Sequence, residues 1–255
     1  MKNQMEQSMA EQVLSTDTEF CRSLVKMRYL SQDQMLRAAQ HYKLGKSKDG
    51  GVIFWEIDEQ QKVRDGKIMF YQDDCHRDHS RTPDWVSYRL KSHYGYEGDV
   101  PIERCLFGLH LLEEGGKRKE ERDYSASDIS HSTFHIPHST KSVAIVEAEK
   151  TAVICSELFP QAIWLASGGL TMLNAAKLYP LRNYKTVLFP DTDPEGKAYA
   201  AWKSVADIAQ EHFKYPIHVS SILESHASSE QKARKIDLVD YLFDRGTCLK
   251  TEAHV

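Results

Sequence analysis

Acidic residues follow short apolar runs at three places in the second half of this 255-residue chain. Glu147 follows the run SVAIV, and Asp191 and Asp193 follow the run TVLFP. A third pair, Asp237 and Asp240, lies in the segment KIDLVDYL. Carboxylates that lie close together repel each other, and a divalent cation such as Mg²⁺ relieves this repulsion by binding their oxygens. Asp191, Asp193 and Glu147 therefore indicate a Mg²⁺ or Mn²⁺ site of the kind that assists phosphoryl transfer.

Each acid also has an ordinary explanation when it is considered alone. Glu147 could be a solvated acid at a helix N-terminus, where the helix dipole favours negative charge. Asp191 could be a helix N-cap, with Pro194 in the first helical turn. The Asp-x-Asp pair at the end of an apolar run, combined with Glu147, favours the metal site over these alternatives.

The surrounding sequence predicts an α/β fold that would bring the acids together. The predicted strands are the apolar runs at 142–147, 162–167, 185–190 and 216–222. They alternate with segments of helical spacing at 149–159, 171–179 and 194–213. Such alternation is typical of a parallel sheet with right-handed crossovers. Because ligands bind beyond the carboxyl ends of the strands in open parallel sheets, we expect the acids to meet there.

Three regions of different composition divide the chain. Residues 1–45 are predicted to be a helical segment, and residues 46–140 a smaller, β-rich α+β domain. Residues 141–255 contain the predicted parallel sheet and its flanking helices, with a core at 141–246. The boundary is placed in the charged, then Ser/His-rich stretch before residue 141, because such a composition is typical of a linker.

The β-rich region 46–140 is a candidate nucleic-acid platform. Its runs 50–58 and 63–72 are predicted to pair as antiparallel strands. Basic groups that meet phosphates, interleaved with aromatic rings on which bases stack, suit a single-stranded nucleic acid. The basic candidates are Lys43, Lys46, Lys48, Arg64, Lys67, Arg77, Arg81, Arg89, Lys91, Lys117, Arg118 and Lys119. The aromatic candidates are Trp55, Phe70, Tyr71, Trp85, Tyr88, Tyr94 and Tyr96, which could equally belong to the core.

Two clusters contain zinc-ligand residue types. They are Cys75, His76 and His79 in one loop and His131, His135 and His138 in another. Their spacing matches no standard zinc finger, so solvated loop histidines are the simpler interpretation.

The composition excludes several classes of protein. Lys and Arg total 33 against 37 Asp and Glu, so the net charge of −4 excludes a globally basic nucleic-acid coat. A hydrophobic content of 41% excludes a largely disordered chain. The mean hydropathy is −0.54, and we expect neither a membrane span nor a signal peptide. Five scattered cysteines without a C-x-x-C pair predict a reducing, cytoplasmic location.

The segments VEAEKTA, ASGG, FPDTDPEG and KIDLVDYL resemble the motifs of the Toprim domain, which bacterial-type primases, topoisomerases and some nucleases share. The resemblance covers about residues 141–246 and is strongest to primase-like proteins of phages and Bacteroidetes-type mobile elements. It implies that Glu147 acts as a general acid/base or a metal-associated carboxylate. It also implies that Asp191 and Asp193 bind the metal, and that the chain turns into a helix at Gly196.

The same resemblance implies supporting roles for five further residues. Lys150 would contact a phosphate, and Gly168 and Gly169 would let the backbone approach a substrate closely. Asp237 and Asp240 match the third acidic motif and would be further metal ligands. A solvated helix position or an ordinary turn is the alternative for each of these residues.

The chain departs from the Toprim pattern in three ways. Ala148 replaces a glycine, and Thr151 stands where several relatives carry an additional acid, which could weaken a second metal site. No Cys/His zinc module of the kind that begins full primases is found before residue 45, where only Cys21 and His41 are available.

The resemblance implies a Mg²⁺- or Mn²⁺-dependent nucleotidyltransferase that makes primers on single-stranded DNA. The expected partners are single-stranded DNA or RNA, nucleotides and a replicative helicase. The alternatives are a Toprim metal-dependent nuclease and a non-catalytic nucleic-acid-binding accessory protein of replication, because the same acids serve synthesis and cleavage.

Overall fold

The computed structural model describes residues 13–94, 103–112, 142–213 and 216–244. It contains one antiparallel and one parallel four-stranded sheet. The predicted domain boundary, His131, His135, His138 and the lysine-rich stretch 117–119 lie outside the described residues. In the part of the chain that is described, no helix has the length and apolar character needed to cross a bilayer.

Two short helices precede the antiparallel sheet, as the sequence predicted for this region. Helix α1 is Glu19–Lys26, and the Thr18 side chain caps it by accepting a hydrogen bond from the Cys21 N–H at 3.2 Å. Helix α2 is Gln32–His41, and Ser31 forms a capping box with Gln34 at its start. These caps fix where the helices begin, so that their apolar faces turn inward.

The antiparallel sheet has the strand order β1-β2-β3-β4. Its strands are β1 (Gly45–Lys46), β2 (Val52–Ile57), β3 (Val63–Met69) and β4 (Asp84–Trp85), and helix α3 (Val86–Tyr94) follows. The predicted pairing of β2 with β3 is confirmed. Every residue of β2 is buried, because its two faces are covered by different hydrophobic clusters.

The predicted parallel sheet is also confirmed, with all strand pairs parallel. Its strands are β5 (Ser142–Val146), β6 (Ala162–Ala166), β7 (Thr186–Phe189) and β8 (Ile217–Val219). Three helices lie between these strands, namely α4 (Glu149–Leu158), α5 (Ala175–Leu178) and α6 (Lys197–Phe213). After β8 come α7 (Ile222–His226), α8 (Ser229–Ala233) and α9 (Leu238–Asp244). The predicted helix at 171–179 is wrong in part, because Asn174 caps a new short helix after a 3₁₀ turn at Leu170–Met172.

The order of the parallel sheet is β6-β5-β7-β8. The chain leaves β5 toward β6 on one side and then returns to β7 on the other side. The connections therefore diverge between β5 and β7, which creates a crevice at the carboxyl ends of these two central strands. In the register of the sheet, Val146 at the end of β5 lies beside Phe189 at the end of β7.

Side chains from both sheets meet in one buried cluster. Phe54 of the antiparallel sheet packs edge-on against Phe107, and the backbone of Phe107 forms a bridge to Ala166 of β6. The hydroxyl of the buried Tyr42 donates a 2.7 Å hydrogen bond to the Trp164 carbonyl. The antiparallel sheet is thereby held against the edge of the parallel sheet.

Candidate active site

Glu147 and Asp191 lie at the crevice between the two central strands of the parallel sheet. Glu147 comes directly after β5, and Asp191 follows β7 with one residue, Pro190, between them. Both side chains are partly buried. Of the five predicted metal ligands, these two follow neighbouring strands whose ends are in register.

The pKa of the Asp191 carboxyl is raised well above its usual range. Burial is the largest cause, and the negative charges of Glu147, Asp237 and Asp240 add to it, while Lys150 opposes them. Four of the five predicted acids, Glu147, Asp191, Asp237 and Asp240, therefore come close enough to interact electrostatically. Their mutual repulsion is the electrostatic condition that a bound cation would relieve.

The pKa of Glu147 is also raised, again chiefly by burial. A hydrogen bond from the Leu170 backbone and the charge of Lys67 lower it, whereas Asp237 and Glu149 raise it further. A partly buried carboxyl group with a raised pKa, lying at the mouth of a crevice, is suited to accepting and releasing a proton.

Asp193 has a different position, at the start of α6. Its Oδ1 accepts hydrogen bonds from the backbone N–H groups of Glu195 and Lys197 at 3.0 and 3.1 Å. Its Oδ2 accepts one from Ala198 at 2.7 Å. Burial raises the pKa of Asp193, but these backbone hydrogen bonds outweigh that effect and lower it. Asp193 rather than Asp191 thus caps the start of α6, from a position four residues before Lys197. Gly196, with φ of 68°, makes the predicted turn into the helix.

Asp237 and Asp240 form a separate pair at the start of α9. Asp237 Oδ1 accepts a 2.7 Å hydrogen bond from the Asp240 N–H, and Asp237 Oδ2 accepts one from the Thr151 hydroxyl. The Lys150 ammonium lies 3.8 Å from Asp237 and 3.9 Å from Asp240. Lys150 therefore pairs with carboxylates inside the protein, while its predicted contact with a phosphate stays a prediction.

Gly168 and Gly169 follow β6 at the same end of the sheet. Both have positive φ, 88° and 152°, which residues with a Cβ rarely adopt. A Cβ on Gly168 would lie 3.3 Å from Glu149 Oε1. The backbone of this loop therefore passes close to the start of α4. Its predicted contact with a substrate stays a prediction.

Lys67 is a residue of this region that sequence reasoning did not place at the site. It projects from β3, and its Nζ donates to the Gly168 carbonyl at 2.7 Å and lies 3.0 Å from Glu149 Oε1. Its charge also acts on Glu147. Lys67 was predicted only as one of many basic residues, because no local pattern links β3 to residues that lie 82 positions later.

Among the described residues, no group of three or more His, Cys, Asp and Glu side chains is arranged to hold a metal ion. Glu147 and Asp191 follow the two central strands, whose ends are in register, and are therefore the acids that the sheet best places to bind one. Mg²⁺ usually takes one or two protein carboxylates and completes its shell with water and phosphate oxygens. The donor chemistry at this edge of the sheet therefore fits Mg²⁺ or Mn²⁺.

Several basic residues of the predicted nucleic-acid platform already have partners within the protein. The Arg81 guanidinium stacks on Phe70 at 3.4 Å and pairs with Asp49 at 2.8 Å. Arg89 also pairs with Asp49, at 2.8 Å. These ion pairs are partly exposed, and the nucleic-acid platform stays a prediction.

The chain belongs to the family described as a domain of unknown function, DUF6371, which matches residues 18–121 and 130–192. A crystal structure of the Aquifex aeolicus primase, comprising its zinc-binding and RNA polymerase domains, is similar with 14% identity and a TM-score of 0.39. That match covers 86% of this chain and 51% of the primase chain, so this chain spans about half the length of that protein. No curated protein matches the sequence.

Proposed function

We propose that this protein is a metal-dependent nucleotidyltransferase of the primase-like Toprim type, which synthesises primers on single-stranded DNA. The observation that carries the proposal is the position of Glu147 and Asp191, each at the carboxyl end of a central strand, where the connections of the sheet diverge. The resemblance of the segments around them to Toprim motifs supports the same chemistry.

Glu147 and Asp191 are the proposed ligands of one Mg²⁺ or Mn²⁺ ion. When bound, the ion would neutralise the negative charge that develops on the phosphate oxygens during phosphoryl transfer. The Glu147 carboxylate would also accept the proton of the attacking 3′-hydroxyl group, through the oxygen that does not bind the ion. The charge of the Lys67 ammonium opposes the rise in the pKa of Glu147 that burial causes.

The surrounding residues would fix these two carboxylates in place. The Leu170 N–H donates to Glu147, and Lys67 ties the Gly168 carbonyl to Glu149. Asp193 secures the first turn of α6 directly after Asp191. Such positioning matters because phosphoryl transfer is catalysed mainly by placing the reactants and stabilising charge.

One observation favours a second candidate, a nucleic-acid-binding accessory protein without catalysis. Asp193 and Asp237, two of the five predicted ligands, are used to cap helices. An accessory protein would keep these acids for its fold, and it would bind single-stranded DNA whether or not Glu147 and Asp191 are intact.

The test is incorporation of labelled nucleotides on single-stranded DNA templates with Mg²⁺ or Mn²⁺. We expect the wild-type protein to extend primers, and Glu147→Gln and Asp191→Asn each to lose activity by about 100-fold or more, as when a major transition-state contact is removed. Asp207→Asn is the matched control, because Asp207 is an exposed acid on α6 that pairs with Lys203 at 3.4 Å.

The other outcomes identify the alternatives. Cleavage of an oligonucleotide without nucleotides, lost in the same two variants, would replace the primase assignment with a nuclease. Binding of single-stranded DNA without synthesis or cleavage, unchanged in Asp191→Asn, would assign the accessory role.

A further inference from the structure

Lys150 lies beside the carboxylates of Asp237 and Asp240, where its positive charge relieves their mutual repulsion. Its ammonium lies 3.8 Å from Asp237 Oδ2 and 3.9 Å from Asp240 Oδ1. The Lys150 side chain is only 13% exposed, so water screens these contacts weakly. Burial lowers the pKa of Lys150, but the charges of Asp237 and Asp240 outweigh this and raise it. The ammonium is therefore a permanent positive charge at this pair.

Two hydrogen bonds hold the Asp237 carboxylate in place, one at each oxygen. Its Oδ1 accepts the Asp240 N–H at 2.7 Å, and its Oδ2 accepts the Thr151 hydroxyl. Thr151 and Lys150 are neighbours in the first turn of α4, so one short segment supplies both the hydroxyl and the ammonium that contact Asp237. A metal ion that displaced the Thr151 hydroxyl or the Lys150 ammonium from Asp237 would leave that buried group without its partner, which is costly.

We propose that Lys150 takes the place of a second divalent cation, so that the acidic edge binds a single metal ion, at Glu147 and Asp191. This inference rests on the proposed function, because it takes Glu147 and Asp191 as the metal pair. A second divalent ion at Asp237 and Asp240 would lie beside the Lys150 ammonium, and the repulsion between like charges would oppose its binding. The Thr151 hydroxyl, which stands in place of an acid, adds no negative charge to offset that repulsion.

The experiment is a titration of the full chain with Mn²⁺, in which free Mn²⁺ is followed by electron paramagnetic resonance. We expect the wild-type protein to bind one Mn²⁺ ion, and a second only at least tenfold more weakly. Lys150→Gln removes the ammonium, and we expect it to bind two ions. Lys150→Arg is the matched control that keeps the positive charge, and it should bind one ion. Adding Asp240→Asn to Lys150→Gln should abolish the second ion.

The outcomes separate this inference from the proposed function. Two ions of similar affinity in the wild-type protein would overturn the role of Lys150 while leaving the metal pair of Glu147 and Asp191 in place. A folded Lys150→Gln that binds a single ion would overturn it as well. No ion bound by the wild-type protein would overturn the inference together with the proposed function. Circular dichroism of each variant checks folding, and the wild-type count decides the question even if Lys150→Gln does not fold.

Discussion

The Lys67 ammonium donates a 2.7 Å hydrogen bond to the Gly168 carbonyl, and so ties a strand of the antiparallel sheet to the edge of the parallel sheet where the candidate site lies. The same ammonium lies 3.0 Å from the carboxylate of Glu149, which is 4% exposed. This contact joins the two sheets at residues close to Glu147. The ion pair between Lys67 and Glu149 therefore links the stability of the fold to the geometry of the candidate site.

Lys67→Met should destabilise the protein, because it leaves the Glu149 carboxylate buried without its partner. The expected loss in the free energy of unfolding is about 3–5 kcal/mol, the usual cost of breaking a buried ion pair from one side. Urea denaturation measures this loss. Lys67→Arg keeps the charge and should lose less. A loss of under about 1 kcal/mol in Lys67→Met, as at an exposed pair, would mean that the contact is not structurally important.

Asp191→Asn should stabilise the metal-free protein at neutral pH. Burial and the charges of Glu147, Asp237 and Asp240 disfavour the ionised carboxylate, and an amide removes that repulsion. The midpoint of urea denaturation should rise in the variant. Saturating Mn²⁺ should reverse the order, because only the wild-type protein gains stability from binding the ion. A lower midpoint without metal would contradict the electrostatic account of the site.

Asp193→Ala should destabilise the protein, since the Asp193 carboxylate caps α6. Removing an N-cap costs about 0.5–2 kcal/mol of stability, and three backbone N–H groups lose their acceptor here. Asp193→Asn should lose less stability, because its amide oxygen can still accept from Glu195 and Lys197, whereas its NH₂ group cannot accept from Ala198. Equal stability of Asp193→Ala and the wild-type protein would show that the carboxylate is free to act elsewhere.

Glu56 should make the stability depend on pH. Its side chain is buried in β2, and in the described part of the chain its Oε2 has no hydrogen-bond partner. Burial, helped by Asp65 and Glu149, raises its pKa from 4.5 to about 8. A raised pKa means that the folded state prefers the protonated carboxyl. The contribution of Glu56 to the free energy of unfolding is then fully present below pH 4.5 and is lost as the pH rises toward 8.

Glu56→Gln removes this titration, so its stability relative to the wild-type protein should increase between pH 5 and pH 8. The slope of the difference should approach about 1.4 kcal/mol per pH unit, which is the limit for a single proton. Urea denaturation at four pH values measures it, with exposed Glu211→Gln as the control. A difference in stability between Glu56→Gln and the wild-type protein that stays constant from pH 5 to pH 8 would rule out the raised pKa.

The parallel sheet and its two central acids could be predicted from the sequence because both depend on local patterns. Short β-branched runs that alternate with helical segments define the strands, and Glu147 and Asp191 follow two of them directly. The rule that ligands bind at the carboxyl ends of parallel strands then places both acids at one edge. The capping box at Ser31 and the pairing of β2 with β3 follow from similarly local signals.

The partner that each side chain contacts could not be predicted in the same way, because it depends on residues that the local sequence does not specify. Asp193 caps α6 because the turn at Gly196 directs three N–H groups at its carboxylate, although Asp-x-x-Gly before a helix is compatible with either acid as the cap. Lys67 meets Glu149 across 82 residues, and Thr151 meets Asp237 across 86. Such long-range pairs arise only when the sheets and helices have packed.

The central claim is that Glu147 and Asp191 together hold one divalent cation. The most direct measurement is a crystal structure of the protein soaked with Mn²⁺, in which anomalous scattering locates the ion. We expect a single peak within coordination distance of carboxylate oxygens from both residues. A peak held by Asp193 or Asp237 instead, or no ion at Glu147 and Asp191 under saturating Mn²⁺, would contradict it.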